Sequence, residues 1–525
     1  MPTVFHIQTF GCQMNASDSD WLCRTLKSRG FVEGPFEEAT LYILNTCSVR
    51  DKPEQKVYSE LGRIARHCKV NNRSGITVCV GGCVAQQVGP KLIRRFPQVR
   101  LMFGTDGIAH APEAISRLME EPGLRLSLLD FMDHYEERAD SRVDAFPDSG
   151  QGARLAPEAA PASAFVNIMQ GCDNFCSYCI VPYVRGRQKS RKTEAILREC
   201  RALLAGGARE ITLLGQNVNS FGQDKEGDGT SFAALLHKVA ALPGLERLRF
   251  VTPHPKDIAP EVIKAFAELE CLCPRLHLPL QSGSDRILKA MNRRYDTARY
   301  LDIVASLRKA RPDMLLTTDI IVGFPGETEE DFQDTMRLMR EVGFASSFSF
   351  VYSDRPQAKA VLLPGKVERA VALERLSRLQ TWQNQASDIY LEQMVDTSCV
   401  ILVESKSRWN VLLDADSQTP LMQGNDNAGV QSHASPAQSA RPLYVQSYKS
   451  HTTVTRNDNE AARQGDLPRE AWQGKTPHGV IVNVNLDPRP AGNYLARGWE
   501  GAMLPVRIEA AAKHSLKGVQ AGEPW

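Results

Sequence analysis

Apolar and polar residues recur along the chain with two periods, and the order in which those periods alternate predicts the architecture. Over residues 1–120, strand-like runs at Thr3–Thr9, Leu41–Asn45, Ile76–Val80 and Arg100–Phe103 are separated by stretches of helical spacing at Ser17–Arg29, Asp51–Cys68, Pro90–Phe96 and Ala111–Met119. In the first of these helices Leu22 and Leu26 share a face and Gly30 supplies the stop. Such alternation predicts an α/β unit built on an open, Rossmann-like parallel sheet. The pattern lapses over residues 121–164, where acidic residues give way to Ser149-Gly150-Gln151-Gly152 and an Ala/Pro-rich run, and this reads as a linker.

From Phe165 the alternation resumes. Six strand-like runs, Phe165–Met169, Glu210–Leu214, Arg247–Val251, Arg275–Pro279, Leu315–Val322 and Ser347–Tyr352, have helical spacing between them and predict a partial (β/α)6 barrel over residues 165–365. Polar residues follow the strand ends: Gln216, Asn217 and Asn219, then Thr252 and His254, then Gln281 and Ser282. Together they would line the barrel mouth. Residues 366–397 read as a connecting helix, and residues 398–525 as a small β domain that includes strands at Cys399–Glu404 and Met503–Ile508. Within it, residues 407 to about 490 are rich in Ser, Gln, Asn, Asp and Gly, and most of that stretch is expected to be mobile loop or insertion.

With 525 residues, 42% of them hydrophobic, the chain has room for about three domains with cores of their own. A net charge of +2 excludes a polycation, so contact with nucleic acid would need local basic patches. No apolar run reaches membrane-spanning length, and Met1–Phe10 reads as a strand instead of a signal peptide. A cytoplasmic protein with no membrane partner is therefore expected. Thirteen cysteines, an odd number, point to thiols and metal ligands in a reducing compartment.

Three of those cysteines, Cys172, Cys176 and Cys179, form a C-x3-C-x2-C loop just after the first barrel strand. Three thiolates in so short a loop can hold three irons of a 4Fe-4S cluster, leaving one iron open for chemistry. Zinc is the rival, but it needs a fourth ligand, and the nearby pair Cys271 and Cys273 has the unusual spacing C-x-C. Cys12, Cys47 and Cys83 each fall just past the carboxyl end of a strand, 35 and 36 residues apart. Parallel strands would bring these loops to one sheet edge, where ligand sites of open α/β sheets lie. The alternative reading makes them small residues in tight, glycine-flanked turns. Cys23, Cys68 and Cys79 lie inside elements and read as core or incidental thiols.

Several stretches together resemble the methylthiotransferase branch of the radical S-adenosylmethionine proteins. They are Asn45-Thr46-Cys47-Ser48-Val49-Arg50, Gly82-Cys83-Val84-Ala85-Gln86, the Cys172 loop, Leu278-Pro279-Leu280-Gln281-Ser282-Gly283-Ser284 and Asp319 to Thr328. Val166–Cys176, Ile180–Arg187, Gly215–Asn219 and Pro253–Lys256 are most similar to the members that add a methylthio group to carbon 2 of isopentenyladenosine beside the anticodon of tRNA. The resemblance implies two 4Fe-4S clusters, an auxiliary one on Cys12, Cys47 and Cys83 and a radical-generating one on Cys172, Cys176 and Cys179, with S-adenosyl-L-methionine as cofactor. It also implies a tRNA anticodon stem-loop as partner and an electron donor such as a flavodoxin or ferredoxin, and the chain is expected to act as a monomer. Gly206 and Gly207 are similar to the family's cofactor-amine region, and Gly323 to Glu327 to the stretch beside the adenine. Arg185, Arg187 and Lys189, directly after the cluster loop, are candidates for tRNA phosphate contacts. Val403-Glu404-Ser405-Lys406 and His514–Gly518 are similar to a TRAM domain, a small RNA-binding β-barrel, with Ser405 where a glycine is usual. Two further substrates, threonylcarbamoyladenosine of tRNA and an aspartate of a ribosomal protein, would use the same six cysteines. A reading from another class is a non-catalytic RNA-binding protein with structural zinc.

Overall fold

The computed structural model describes residues 2–48, 53–71, 75–89, 91–139, 142, 159–225, 227–407, 470–487 and 498–525. They form two compact units, Met1–Tyr390 and Leu391–Trp525.

The first unit opens with β1 (Val4–Thr9), β2 (Val32–Glu33), β3 (Leu41–Thr46), β4 (Thr77–Gly82), β5 (Val99–Phe103) and β6 (Leu126–Leu128). These six strands make one sheet in the order β2-β1-β3-β4-β5-β6, every pair parallel. The central strands β3 and β4 are buried along their whole length, which explains their apolar runs: helices cover both faces. Leu22 and Leu26 of the helix Gln13–Ser28 pack on one face with Ile115 and Leu118, while Val57, Leu61 and Ile64 pack on the other. The edge strands β2 and β6, of two and three residues, are too short to show a period in the sequence. β6 lies in the stretch expected as linker, of which residues 143–158 are outside the described residues.

The barrel follows. Its strands are β7 (Ser163–Asn167), then the short pair β8 (Met169–Gln170) and β9 (Lys189–Ser190), then β10 (Glu210–Leu214), β11 (Arg247–Phe250), β12 (Arg275–His277), β13 (Leu315–Val322) and β14 (Ser346–Val351). They make two parallel sheets, β11-β10-β7 and β12-β13-β14, with β8 and β9 as an antiparallel ribbon. The two sheets are joined at Leu248, whose N–H donates to the Cys271 carbonyl (2.7 Å) and whose carbonyl accepts from the Cys273 N–H (2.9 Å). Cys271 and Cys273 thus straddle a backbone seam. Val166, Ile211, Leu213, Leu276, Leu316 and Ile320 face the helices in one core. The alternate positions are polar, with Arg249 paired to Glu210 (2.8 Å) and His277 to Asp319 (3.3 Å). Alternation of faces along each strand therefore leaves a polar interior.

The β8–β9 ribbon docks the sheet onto the barrel. Lys189 donates to the Asp106 carboxylate (2.6 Å) and the Met132 carbonyl (3.1 Å), and the Thr105 hydroxyl donates to the Val184 carbonyl (3.0 Å). Arg191 pairs with Glu137 and Glu199 (both 2.6 Å), and Arg138 with Asp18 (2.7 Å).

In the second unit β15 (Ser398–Lys406), β16 (Glu470–Lys475), β17 (Ile481–Leu486), β18 (Met503–Ala512) and β19 (Ser515–Gln520) close into a barrel in the order β15-β16-β17-β19-β18. Here the expected insertion needs correcting. Residues 408–469 lie outside the described residues, but β16 and β17 fall inside the expected range and supply two of the five barrel strands. Trp472, Val482, Val484 and Leu486 are among their buried positions, and the period of two in Ile481–Leu486 was the available signal. Among the described residues no helix is long and apolar enough to cross a membrane.

Lys189 and Asp106 are 3% and 8% exposed, so removing one partner strands a buried charge. Lys189→Ala is expected to destabilise the first unit by about 3–5 kcal/mol, seen as a lower urea midpoint for its unfolding. An unchanged midpoint would show that the pair does not hold the joint.

Candidate functional site

Beyond β8, the chain turns at Gly171, with φ +79°, where a Cβ would lie 2.0 Å from the Arg187 carbonyl oxygen. Only glycine passes there, and it sets the start of the Cys172–Cys179 loop. The loop's interior is fixed by distant elements. Ser177 donates from its N–H to the Met291 carbonyl (2.9 Å) and from its hydroxyl to the Ala290 carbonyl (2.8 Å). The Asn292 amide donates to the Phe175 carbonyl (3.0 Å), and Lys256 to the Asn174 carboxamide (2.6 Å). Phe175, Asn292 and Arg294 all take positive φ, so backbone strain is concentrated at this mouth.

Burial pushes the Cys172 thiol up to about 11 and Cys179 up to about 12, and each also feels the charge of Cys176. Arg293 supplies the counter-charge: one Nη is 3.6 Å from the Cys176 sulfur while the other donates to the Pro279 carbonyl (2.7 Å). His254 Nε2 lies 3.9 Å from the same sulfur. Burial, helped by Arg293, pushes this imidazole down and keeps it neutral.

The second triad stands on the parallel sheet. Cys12 caps the helix Gln13–Ser28, Cys47 follows β3, and Cys83 begins the short helix Cys83–Val88 after β4. Gly11 has φ +105°, and a Cβ there would lie 2.1 Å from Cys47 Cβ, so the first two loops are in contact. The Asn15 carboxamide donates to the Thr46 carbonyl (2.8 Å) and the Thr46 hydroxyl to the Gly81 carbonyl (2.5 Å), tying all three loops together. A hydrogen bond with Cys47, aided by the Arg185 charge and the Asn15 N–H, holds the Cys12 thiol down at about 5. Burial pushes Cys83 up, against the pull of Arg185. Arg185 is itself buried and donates to the Asn15 carboxamide oxygen (2.8 Å).

Both triads suit a polynuclear thiolate centre. Burial holds Cys83, Cys172 and Cys179 toward the neutral form, so a cation is needed to take their charge as thiolates, and each triad has a buried arginine beside it. Among the described residues no group of three or more His, Cys, Asp or Glu is placed to hold a metal ion. At the end of β10, Asn219 is buried with neither polar atom of its carboxamide hydrogen-bonded. An orphaned amide at this position fits a polar bound group.

Other expected site residues are placed differently. Gly206 and Gly207 cap the helix Thr193–Ala205 at the amino end of β10, roughly 16 Å of strand from the cluster loop's end of the sheet. Gly215 is the glycine at the carboxyl end of β10. Glu327 accepts from the Gly323 N–H (2.9 Å) and from Arg375 (2.7 Å), so Gly323 and Glu327 lock a buried turn. Arg185 and Lys189 are buried in internal pairs and do not reach a phosphate. Arg187 is exposed, paired with Asp173 (2.7 Å) and 5.3 Å from the Phe175 ring centre. Arg293, which no motif announced, is the main addition.

Two family models match: the radical SAM superfamily over residues 166–339 and the uncharacterized protein family UPF0004 over residues 4–104. The tRNA-2-methylthio-N(6)-dimethylallyladenosine synthase of Nitratidesulfovibrio vulgaris strain Hildenborough is 57% identical over 522 residues, 99% of each chain. The chain belongs to the tRNA-2-methylthio-N(6)-dimethylallyladenosine synthase family. The synthase of Oleidesulfovibrio alaskensis is 54% identical over 520 residues, again 99% of each chain. Among solved structures, the radical S-adenosylmethionine methyltransferase TsrM of Kitasatospora setae aligns with a TM-score of 0.47 at 14% identity, covering 67% of this chain and 72% of its own. As a radical SAM protein, this synthase-family chain uses S-adenosylmethionine and a 4Fe-4S cluster.

Gly171→Ala would drive its Cβ into backbone. The variant is expected to bind about four fewer irons per chain after reconstitution and to lose S-adenosylmethionine cleavage. Iron and sulfide analysis checks this, and wild-type iron content would show that the turn tolerates a side chain.

Proposed function

We propose that the chain is a tRNA methylthiotransferase that converts dimethylallyladenosine (isopentenyladenosine) next to the anticodon into its 2-methylthio derivative. In this reading Cys172, Cys176 and Cys179 hold the radical-generating 4Fe-4S cluster, and Cys12, Cys47 and Cys83 an auxiliary one. The observation that carries it is the second triad, drawn from three successive βα units and faced by Arg185, in a chain alignable end to end with synthases named for this reaction.

When bound, S-adenosylmethionine and the two clusters supply radical generation and sulfur for transfer, which carbon 2 of adenine needs because its hydrogen is not accessible to acid–base chemistry. The chain's own residues do the rest. Arg293 and Arg185 offset buried thiolate charge. The neutral His254, the bond from the Ser177 N–H to the Met291 carbonyl and the bond from the Asn292 amide hold the Cys172 loop rigid. Arg187, exposed beside Phe175, is placed for a backbone phosphate, and the target base is extruded from the loop to reach the barrel interior. The second unit, a closed five-stranded barrel, adds RNA affinity as a TRAM-like domain. A flavodoxin- or ferredoxin-type protein delivers electrons, and the chain acts as a cytoplasmic monomer. The threonylcarbamoyl and ribosomal-protein substrates, and the zinc-protein reading, have no support among the relatives' names.

Nucleoside mass spectrometry of tRNA from a deletion strain tests the assignment. Loss of the 2-methylthio nucleoside with build-up of its precursor, restored by the wild-type gene and not by Cys172→Ala or Cys83→Ala, is the expected result. Unchanged levels would redirect the search to another substrate. Separately, Arg187→Ala is expected to weaken tRNA binding and reduce the salt slope by about one. An identical slope would remove Arg187 from the RNA contact.

A further inference from the structure

One face of the amino-terminal sheet carries positive charge that neither triad uses. The helix Pro53–Val70 presents Lys56, Arg63, Arg66 and Lys69 to solvent, on the side opposite its buried Val57, Leu61 and Ile64. The short helix Lys91–Arg95 packs on the same core through Leu92 and adds Lys91, Arg94 and Arg95, all exposed. Against these seven cations the two helices hold two acids, Glu54 and Glu60, a net +5 in a chain whose total is +2. Arg63 is engaged by Glu60 and by the Phe36 ring, and Arg95 lies 4.6 Å from the Tyr58 ring centre. Lys56, Arg66, Lys69, Lys91 and Arg94 have no acidic partner among the described residues. The opposite face of the sheet differs. Its helices Gln13–Ser28 and Ala111–Glu120 carry Arg24, Lys27 and Arg117 against Asp18, Asp20, Glu113 and Glu120, a net −1.

Unpaired like charges on one surface repel, so packing gives no reason for the strip. It also has a direction. The helix Pro53–Val70 begins six residues after Cys47 and connects the parallel strands β3 and β4. It therefore runs back along them, with Lys56 toward the sheet edge that carries the cysteines and Lys69 about 20 Å further on. Tyr58 and Phe96 stack beside it, with ring centres 5.8 Å apart and planes at 23°. Cations interleaved with flat rings suit a polymer that carries both phosphates and bases, whereas an acidic protein would use the charge alone. We propose that this face is an RNA-docking surface that takes the phosphate backbone of the tRNA and guides it toward the edge bearing Cys12, Cys47 and Cys83. This rests on the tRNA reading above and carries the RNA contact onto the amino-terminal sheet.

The test uses the full-length reconstituted protein and a tRNA carrying dimethylallyladenosine, with binding measured between about 50 and 200 mM salt. Lys56→Ala, Arg66→Ala and Arg94→Ala together are expected to keep wild-type iron content, to weaken binding about tenfold and to reduce the salt slope by about two to three. The charge-keeping set Lys56→Arg, Arg66→Lys and Arg94→Lys should bind as wild type does. Arg117→Ala, on the opposite face, should leave affinity and slope unchanged. Equal loss in the charge-keeping set would show that these residues act through the fold, and an unaltered slope in the alanine set would take the RNA off this face. Either result overturns the proposal. So would full RNA binding by the alanine set with slower reduction by a flavodoxin, which would make the strip a docking site for an acidic electron donor. A wild-type chain that does not bind tRNA would overturn the tRNA reading and this inference with it, whereas wild-type binding that every variant shares overturns this inference alone.

Discussion

Six thiols gathered in two small buried volumes repel one another once ionised, and the protein's mouth is built around that electrostatic cost. Low-dielectric surroundings push Cys83, Cys172 and Cys179 toward the neutral form, so a cationic partner is required wherever the thiols are to act as thiolates. Each triad is met by one arginine whose other donors are engaged by backbone or carboxamide oxygens, Arg293 through the Pro279 carbonyl and Arg185 through Asn15. Those bonds orient the charge, so the arginines act as fixed parts of the two sites.

The same economy explains the basic run after the cluster loop. Read as a sequence, Arg185, Arg187 and Lys189 look like candidates for phosphate contacts. In the fold, the turn after the helix Val181–Val184 and the β8–β9 ribbon direct Arg185, Lys189 and Arg191 inward, toward Asn15, Asp106 and Glu137. These cations join the sheet to the barrel through a buried ion pair, Lys189–Asp106, a partly exposed one, Arg191–Glu137, and the bond from Arg185 to Asn15.

Most of the framework was legible because strands buried on both faces read as apolar runs, and because cysteines fell where those runs end. What escaped the sequence did so for identifiable reasons. β2 and β6 are shorter than one pattern repeat, and β16 and β17 are surrounded by polar sequence that hides their alternation. Gly206 and Gly207 stand before a strand and Gly215 after one, and composition does not say which end of a strand carries the site. Arg293 sits between two residues with positive φ, Asn292 and Arg294, and a side chain aimed by so unusual a backbone leaves no spacing signature.

The two triads also differ in how much chain each needs. Cys172, Cys176 and Cys179 come from one short loop, whereas Cys12, Cys47 and Cys83 meet only when three parallel strands have paired across more than seventy residues. Non-local parallel pairing is slow and all-or-none compared with closing a short loop. The two triads therefore differ in what brings them together: the cysteines of the short loop are near one another along the chain, while Cys12, Cys47 and Cys83 meet only in the finished sheet and part with it. The meeting of Cys12, Cys47 and Cys83 is in this sense a built-in report on whether the amino-terminal sheet has folded.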